Sequence, residues 1–122
     1  MTTHPTYTFP HHRLDAWHIS CQARRLTRTL LTDLPRGYAD DARQLRRSSQ
    51  AVPKLIAEGA SRWARGDKRR RFEEAAGEIG ETAAGIEELI ELGAVDPAQA
   101  HTALATWARC RATVLGLLRT LR

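Results

Sequence analysis

Three groups of residues in this chain are of types that could do chemistry. Glu74, Glu78 and Glu81 recur at helical spacing, an arrangement in which carboxylates on one helix face can hold a pair of metal ions. A di-metal bundle also needs a Glu-x-x-His motif, and the chain contains none. The glutamates therefore read as an acidic face that pairs with a basic stripe of Arg43, Arg47 and Lys54, or with basic residues of another subunit. His18 and Gln22 stand one turn apart and His18 precedes Cys21 by three residues, a spacing compatible with one metal-binding face. No second helix offers a complementary ligand pair, so no metal ligand is assigned. His11 and His12 are adjacent near the N-terminus and read as solvated. No nucleophile stands beside a base in a recognisable constellation, so the expectation is a protein that is not an enzyme, with no catalytic residue and no cofactor.

The third group is cationic. Arg62, Arg65, Lys68, Arg69, Arg70 and Arg71 follow one another against Asp67 alone, with Trp63 among them. Such a block repels itself unless it meets anions. An aromatic ring flanked by arginines can stack on bases while the guanidinium groups neutralise phosphate. It can equally fill a subunit interface, where Trp and Arg are enriched. Arg43, Arg47, Gln50 and Lys54 form a second basic stripe, about 100° round a helix from its apolar stripe. Arg43, Arg47 and Lys54 join the block as candidate contacts to RNA or DNA. The formal net charge of +5 hides this segregation: the seven glutamates between Phe72 and Leu92 have no basic residue among them.

These residues must be positioned by helices. Residues 1–11 carry Pro5 and Pro10 without periodicity and read as a flexible arm ahead of a bundle spanning 12–122. The spacing predicts a first helix over 12–33, with Ala16, Ile19, Ala23, Leu26 and Leu30 on one stripe, ended by Pro35 and Gly37. A second is predicted over 38–58, with Tyr38, Ala42, Leu45, Ser49, Val52, Ile56 and Gly59 on one side, a kink at Pro53 and a stop at Gly59. Asp67 is the predicted N-cap of a third helix reaching Leu92 and stopping before Gly93, with Phe72, Ala76, Ile79, Ala83, Ile86 and Ile90 as its seam. Gly77, Gly80 and Ala84 form a small-residue face on which a neighbouring backbone could approach closely. Asp96 followed by Pro97 opens a fourth helix that runs to the end along Ala103, Trp107, Cys110, Val114, Leu117 and Leu121. Trp17 and Trp107 read as core anchors, and Cys21 and Cys110 as small core residues with reduced thiols. The implied fold is all-α: an antiparallel up-down-up-down four-helix bundle.

Several of these stretches carry a resemblance. Leu14-Asp15-Ala16-Trp17, Leu34-Pro35-Arg36-Gly37-Tyr38, Gln44-Leu45-Arg46-Arg47 and above all Val52-Pro53-Lys54-Leu55-Ile56-Ala57-Glu58-Gly59, with Phe72, Ala76-Gly77 and Glu81, resemble the four-helix-bundle proteins encoded in intervening sequences of bacterial 23S ribosomal RNA genes. Members usually carry Ser-Ile-Pro-Ala-Asn-Ile-Ala-Glu-Gly, whereas Ala51 stands here at the Ser and Leu55 at the Asn, and Gly77-Glu78 replaces Gly-Ser. A polar cluster built on those residues is therefore absent or rebuilt.

The resemblance implies a five-membered ring and a binding or scaffolding role. Accessory subunits of diversity-generating retroelements look similar in fold, and this implies the alternative role of engaging a reverse transcriptase and nucleic acid. Apolar surface on two sides of the third and fourth helices independently points to a homo-oligomer, with Gly77, Gly80, Ala84, Leu104, Leu115 and Leu118 as the candidate interface. The expected partners are further copies of the chain, RNA or DNA, and a protein partner. No membrane partner is expected, because no apolar run approaches the length that spans a bilayer. No signal peptide is visible, and the expected compartment is the cytoplasm.

Overall fold

The computed structural model describes residues 6–121. Among them are four long helices and no strand: α1 (Asp15–Thr32), α2 (Ala39–Ser61), α3 (Arg65–Glu91) and α4 (Pro97–Arg119). A 3-10 turn, Pro10–Arg13, precedes α1. The arm expected through residue 11 thus gives way to structure at Pro10, and α1 begins at Asp15 rather than His12. Residues 1–5 of that arm lie outside the described residues. The proline fixes the first backbone dihedral of the turn, and the His12 ring accepts a hydrogen bond from the Phe9 N–H at 3.1 Å.

Helix boundaries follow local chemistry. The Asp96 carboxylate accepts from the Gln99 N–H at 3.0 Å, the cap expected ahead of Pro97. At the end of α3, Gly93 takes a left-handed conformation (φ 70°), and its N–H and that of Ala94 bond to the Ile90 and Leu89 carbonyls at 3.0 and 2.9 Å. Two boundaries differ from expectation. α2 continues through Gly59 to Ser61, and α3 begins at Arg65 behind Ala64, leaving Asp67 in its first turn. Pro53 lies inside α2 without splitting it.

Each helix packs on two others. α1 lies against α2 and α4, and α3 against α2 and α4, while among the described residues no Cα atoms of a diagonal pair come within 8 Å of each other. The core between them holds Ala23, Val52, Ile56, Ala75, Ile86, Leu89, Trp107 and Val114. The α2 seam is as expected from Ala42 to Gly59. The α3 seam is rotated: Ala75, Thr82 and Leu89 are buried with Phe72, Ile79 and Ile86, whereas Ala76, Ala83 and Ile90 are half-buried beside them. In α1, Ser20 and Thr27 are buried and Ile19 and Leu26 only partly so. Small and hydroxylated residues occupy these places because the helices lie close together, and each buried hydroxyl bonds to a carbonyl within its own helix, so burial leaves it satisfied.

Close approach is concentrated between α2 and α3, which pass in opposite directions: Leu45 meets Gly85, Ser48 meets Thr82, and Gly59 meets Phe72. A Cβ at Gly59 would stand 2.6 Å from Phe72 Cε1, and one at Gly85 would stand 2.7 Å from Leu45 Cδ2. At Gly77 and Gly80, where the sequence suggested close packing, a Cβ would meet nothing within 4 Å. Gly59→Ala should cost about 1–3 kcal/mol through overpacking against the buried Phe72 ring. Phe72→Leu, which removes the opposing edge of that ring, should make the two changes markedly non-additive in urea unfolding. Strict additivity would place the steric limit elsewhere.

Candidate functional site

The basic block lies at the turn between α2 and α3 and over the first two turns of α3, and much of it is occupied within the chain. Lys68 Nζ donates to the Gly59 and Ala60 carbonyls at 3.2 and 3.1 Å, closing the C-terminus of α2. Arg65 Nη2 donates to the Thr120 carbonyl at 3.1 Å, beyond the last turn of α4. Cations in the first turn of a helix oppose its own dipole, but these two sit against the negative ends of neighbouring helices, where positive charge is favoured. Arg69 pairs with Glu73 at 2.8 Å, and Arg71 pairs with Glu58 at 3.4 Å and Glu74 at 3.3 Å. Arg62 and Arg70 have no ion-pair or hydrogen-bond partner among the described side chains. Trp63 stands between them in sequence, 96% exposed.

The second basic stripe divides. Arg47 reaches α3, where Glu81 accepts at 2.6 Å and Glu78 at 3.4 Å. Arg43 instead pairs with Asp40 of its own helix at 2.8 Å. Lys54 lies on the opposite side of α2, toward α1. The expected pairing of the whole stripe with the acidic face is therefore made by Arg47 alone, because α3 passes only one edge of α2. Glu78 is one of its partners, and beside it the Ser48 and Thr82 hydroxyls meet at 2.8 Å in the α2–α3 seam.

The candidate assembly residues lie on the α3 and α4 side. Gly77, Gly80 and Ala84 are exposed, and Leu104, Leu115 and Leu118 are half-buried, with Leu104 and Leu118 packed at the edge of the core.

The histidines and cysteines are used structurally. His18 Nε2 is 2.8 Å from the His12 carbonyl, and His11 packs on Trp17 with ring centroids 4.7 Å apart. Trp17 is half-buried within this cluster rather than a full core anchor, while Trp107 is wholly buried. Among the described residues no group of three His, Cys, Asp or Glu side chains could hold a metal ion. Burial pushes the Cys110 thiol up to about 12, and also raises that of Cys21, so both stay protonated at neutral pH. Desolvation, followed by the nearby His12 and His18, lowers the pKa of His11, whose buried Nδ1 has no hydrogen-bond partner. The unfolded chain therefore takes up this proton first. Stability from the His11 packing is full above about pH 6.5 and is lost as the pH falls through the lowered folded value. His11→Phe should remove that acid-side fall in melting temperature, and a variant that kept the full fall would exclude His11 as its source.

No helix among the described residues is long and apolar enough to cross a membrane. No curated protein matches the chain. A family model described as 23S rRNA-intervening sequence protein matches residues 12–114, covering all of α1, α2 and α3 and most of α4. With four helices in a closed arrangement and a match across most of its length, the chain belongs to the 23S rRNA-intervening sequence protein family.

Proposed function

We propose that this chain is a non-enzymatic, cytoplasmic binding module: a bundle in up-down-up-down order that assembles with copies of itself into a ring and holds RNA or DNA without reading its sequence. The observation that carries the nucleic-acid reading is Trp63, a large aromatic side chain held almost wholly in solvent at a turn directly after the uncommitted cation Arg62, with a second uncommitted cation, Arg70, in the second turn of α3. An indole in that position contributes little to the fold, while a base can stack on it. Repetition of the same turn around a ring would sum weak contacts through multivalency.

Assembly is supported by the outward face of α3. Gly77 and Gly80 each cost helix propensity, about 1 kcal/mol relative to Ala, and neither is needed for packing within the chain. A neighbouring copy laid against that face would supply the missing reason. The ring size of five rests on resemblance to the family.

Two measurements test these readings. Gly80→Leu should lower the mass seen by light scattering while leaving helical content intact, and an unchanged mass would remove this face from the interface. Trp63→Ala should weaken binding of single-stranded RNA by the worth of one stacked base, about 1–3 kcal/mol, with less effect on duplex and none on mass. Loss of mass instead would make Trp63 an interface plug.

A further inference from the structure

A larger set of uncommitted cations lies on another face of the bundle. Arg24 and Arg28 of α1 oppose Arg46 and Lys54 of α2 across a groove of about 490 Å³, with Ser49 and Gln50 completing its lining. No carboxylate lines it. Among the described residues, none of these four cationic side chains has an ion-pair or hydrogen-bond partner, in contrast to Arg43, Arg47, Lys68, Arg69 and Arg71. Beyond Arg24 and Lys54 the groove continues past Arg25 to Trp17 and Ala57.

Like charges facing one another without a counterion destabilise the chain that carries them, so the arrangement calls for an anion from outside. Its geometry selects which kind. Arg24 and Arg28 are one turn apart, about 6 Å along α1, and Arg46, Gln50 and Lys54 are spaced over about 12 Å along α2. Two parallel rows of regularly spaced donors match a polymer with regularly spaced anionic groups better than they match a single compact ion. Neighbouring helix axes lie only about 8–10 Å apart, so the groove between them admits one backbone and is too narrow for a duplex. Gln50, exposed between Arg46 and Lys54, supplies a neutral donor of the kind that contacts phosphate and sugar without discriminating bases. At the Ala57 end, α2 has one more turn before Arg62 and Trp63, so a strand leaving the groove there is directed toward the exposed indole.

We infer that the α1/α2 groove is a track for the phosphate backbone of a single strand of RNA or DNA, held by Arg24, Arg28, Arg46 and Lys54. This rests on the nucleic-acid reading above and moves most of the electrostatic contact from the α2–α3 turn to the groove. The competing occupant is the acidic face of α3 from a second copy, which carries Glu87, Glu88 and Glu91.

Fluorescence anisotropy of the full chain with a labelled oligouridylate, over a potassium chloride series, tests the inference. Replacing Arg24, Arg28 and Arg46 by Gln should weaken binding at low salt at least ~10-fold and reduce the slope of log K against log salt by about 2, the value for three lost single-strand phosphate contacts. Arg36, Arg109 and Arg111, which lie outside the groove, serve as a control triple of the same charge change and should lose much less. Equal losses in the two triples, or a groove triple that binds like the wild type, would overturn the track while leaving a nucleic-acid role at the turn intact. A wild-type protein that binds no oligouridylate even at low salt would overturn both readings. A groove triple whose mass falls in light scattering would assign the groove to a second copy and likewise overturn the track.

Discussion

The close passage of α2 against α3 is the constraint on which the rest of the structure depends. Two glycines, Gly59 and Gly85, receive Phe72 and Leu45 at opposite ends of the contact, and the Ser48 and Thr82 hydroxyls meet between them. Because the two backbones are this near, the connection shrinks to Arg62, Trp63 and Ala64. A turn so short cannot fold its own side chains back onto the core, and the Trp63 ring is left in solvent. The same proximity brings Lys68 under the last carbonyls of α2 and Arg71 beside Glu58. The glycines, the exposed indole and the capping lysine are thus consequences of one interhelix distance.

Charge placement follows from the same geometry. A basic first turn is unfavourable for α3 considered alone, but the start of α3 lies beside the ends of α2 and α4, whose free carbonyls attract cations. Lys68 and Arg65 are committed to those carbonyls. The exposed ion pairs of Arg69 and Arg71 add little to stability and chiefly limit how much of their charge is offered outward. Nothing comparable restrains the α1/α2 groove, which faces away from the glutamates of α3. A count of cations by sequence position therefore overstates the turn and understates the groove.

The four helices, the α2 seam, the Asp96 cap and the Gly93 stop were all legible in the sequence, because each depends on residues near one another in the chain. The rotation of the α3 seam was not. Its register depends on Ala75 and Thr82, small or polar residues that carry little weight in an apolar pattern but fit where another helix lies close. Gly59 was ambiguous for a related reason: a glycine near a helix end can terminate the helix or admit a neighbour, and only Phe72 opposite decides between them. Arg24 and Arg28 were invisible as a site because their partners across the groove, Arg46 and Lys54, lie on another helix. The basic block was legible as a cluster, yet its commitment to helix ends was not, since Arg65 and Thr120 come together only on folding.

Closure of the bundle presents a different problem from its α2–α3 contact. α1 and α4 are neighbours with no loop between them, so side chains alone must set how one lies on the other. Trp107 supplies apolar area there, wholly buried, and its Nε1–H donates to the Thr27 hydroxyl at 2.8 Å. Thr27 can accept that bond because its own proton is directed to the Ala23 carbonyl at 2.9 Å, which satisfies both groups in a dry interior. An apolar residue at 27 would leave the indole N–H unpaired, and a slip of α1 by one residue would do the same, so the bond contributes to register as well as to stability. The hydroxyl pair at Ser48 and Thr82 stands in the corresponding position between α2 and α3. Two polar links, each bridging one pair of helices, thus define the arrangement that apolar stripes alone would allow to slide.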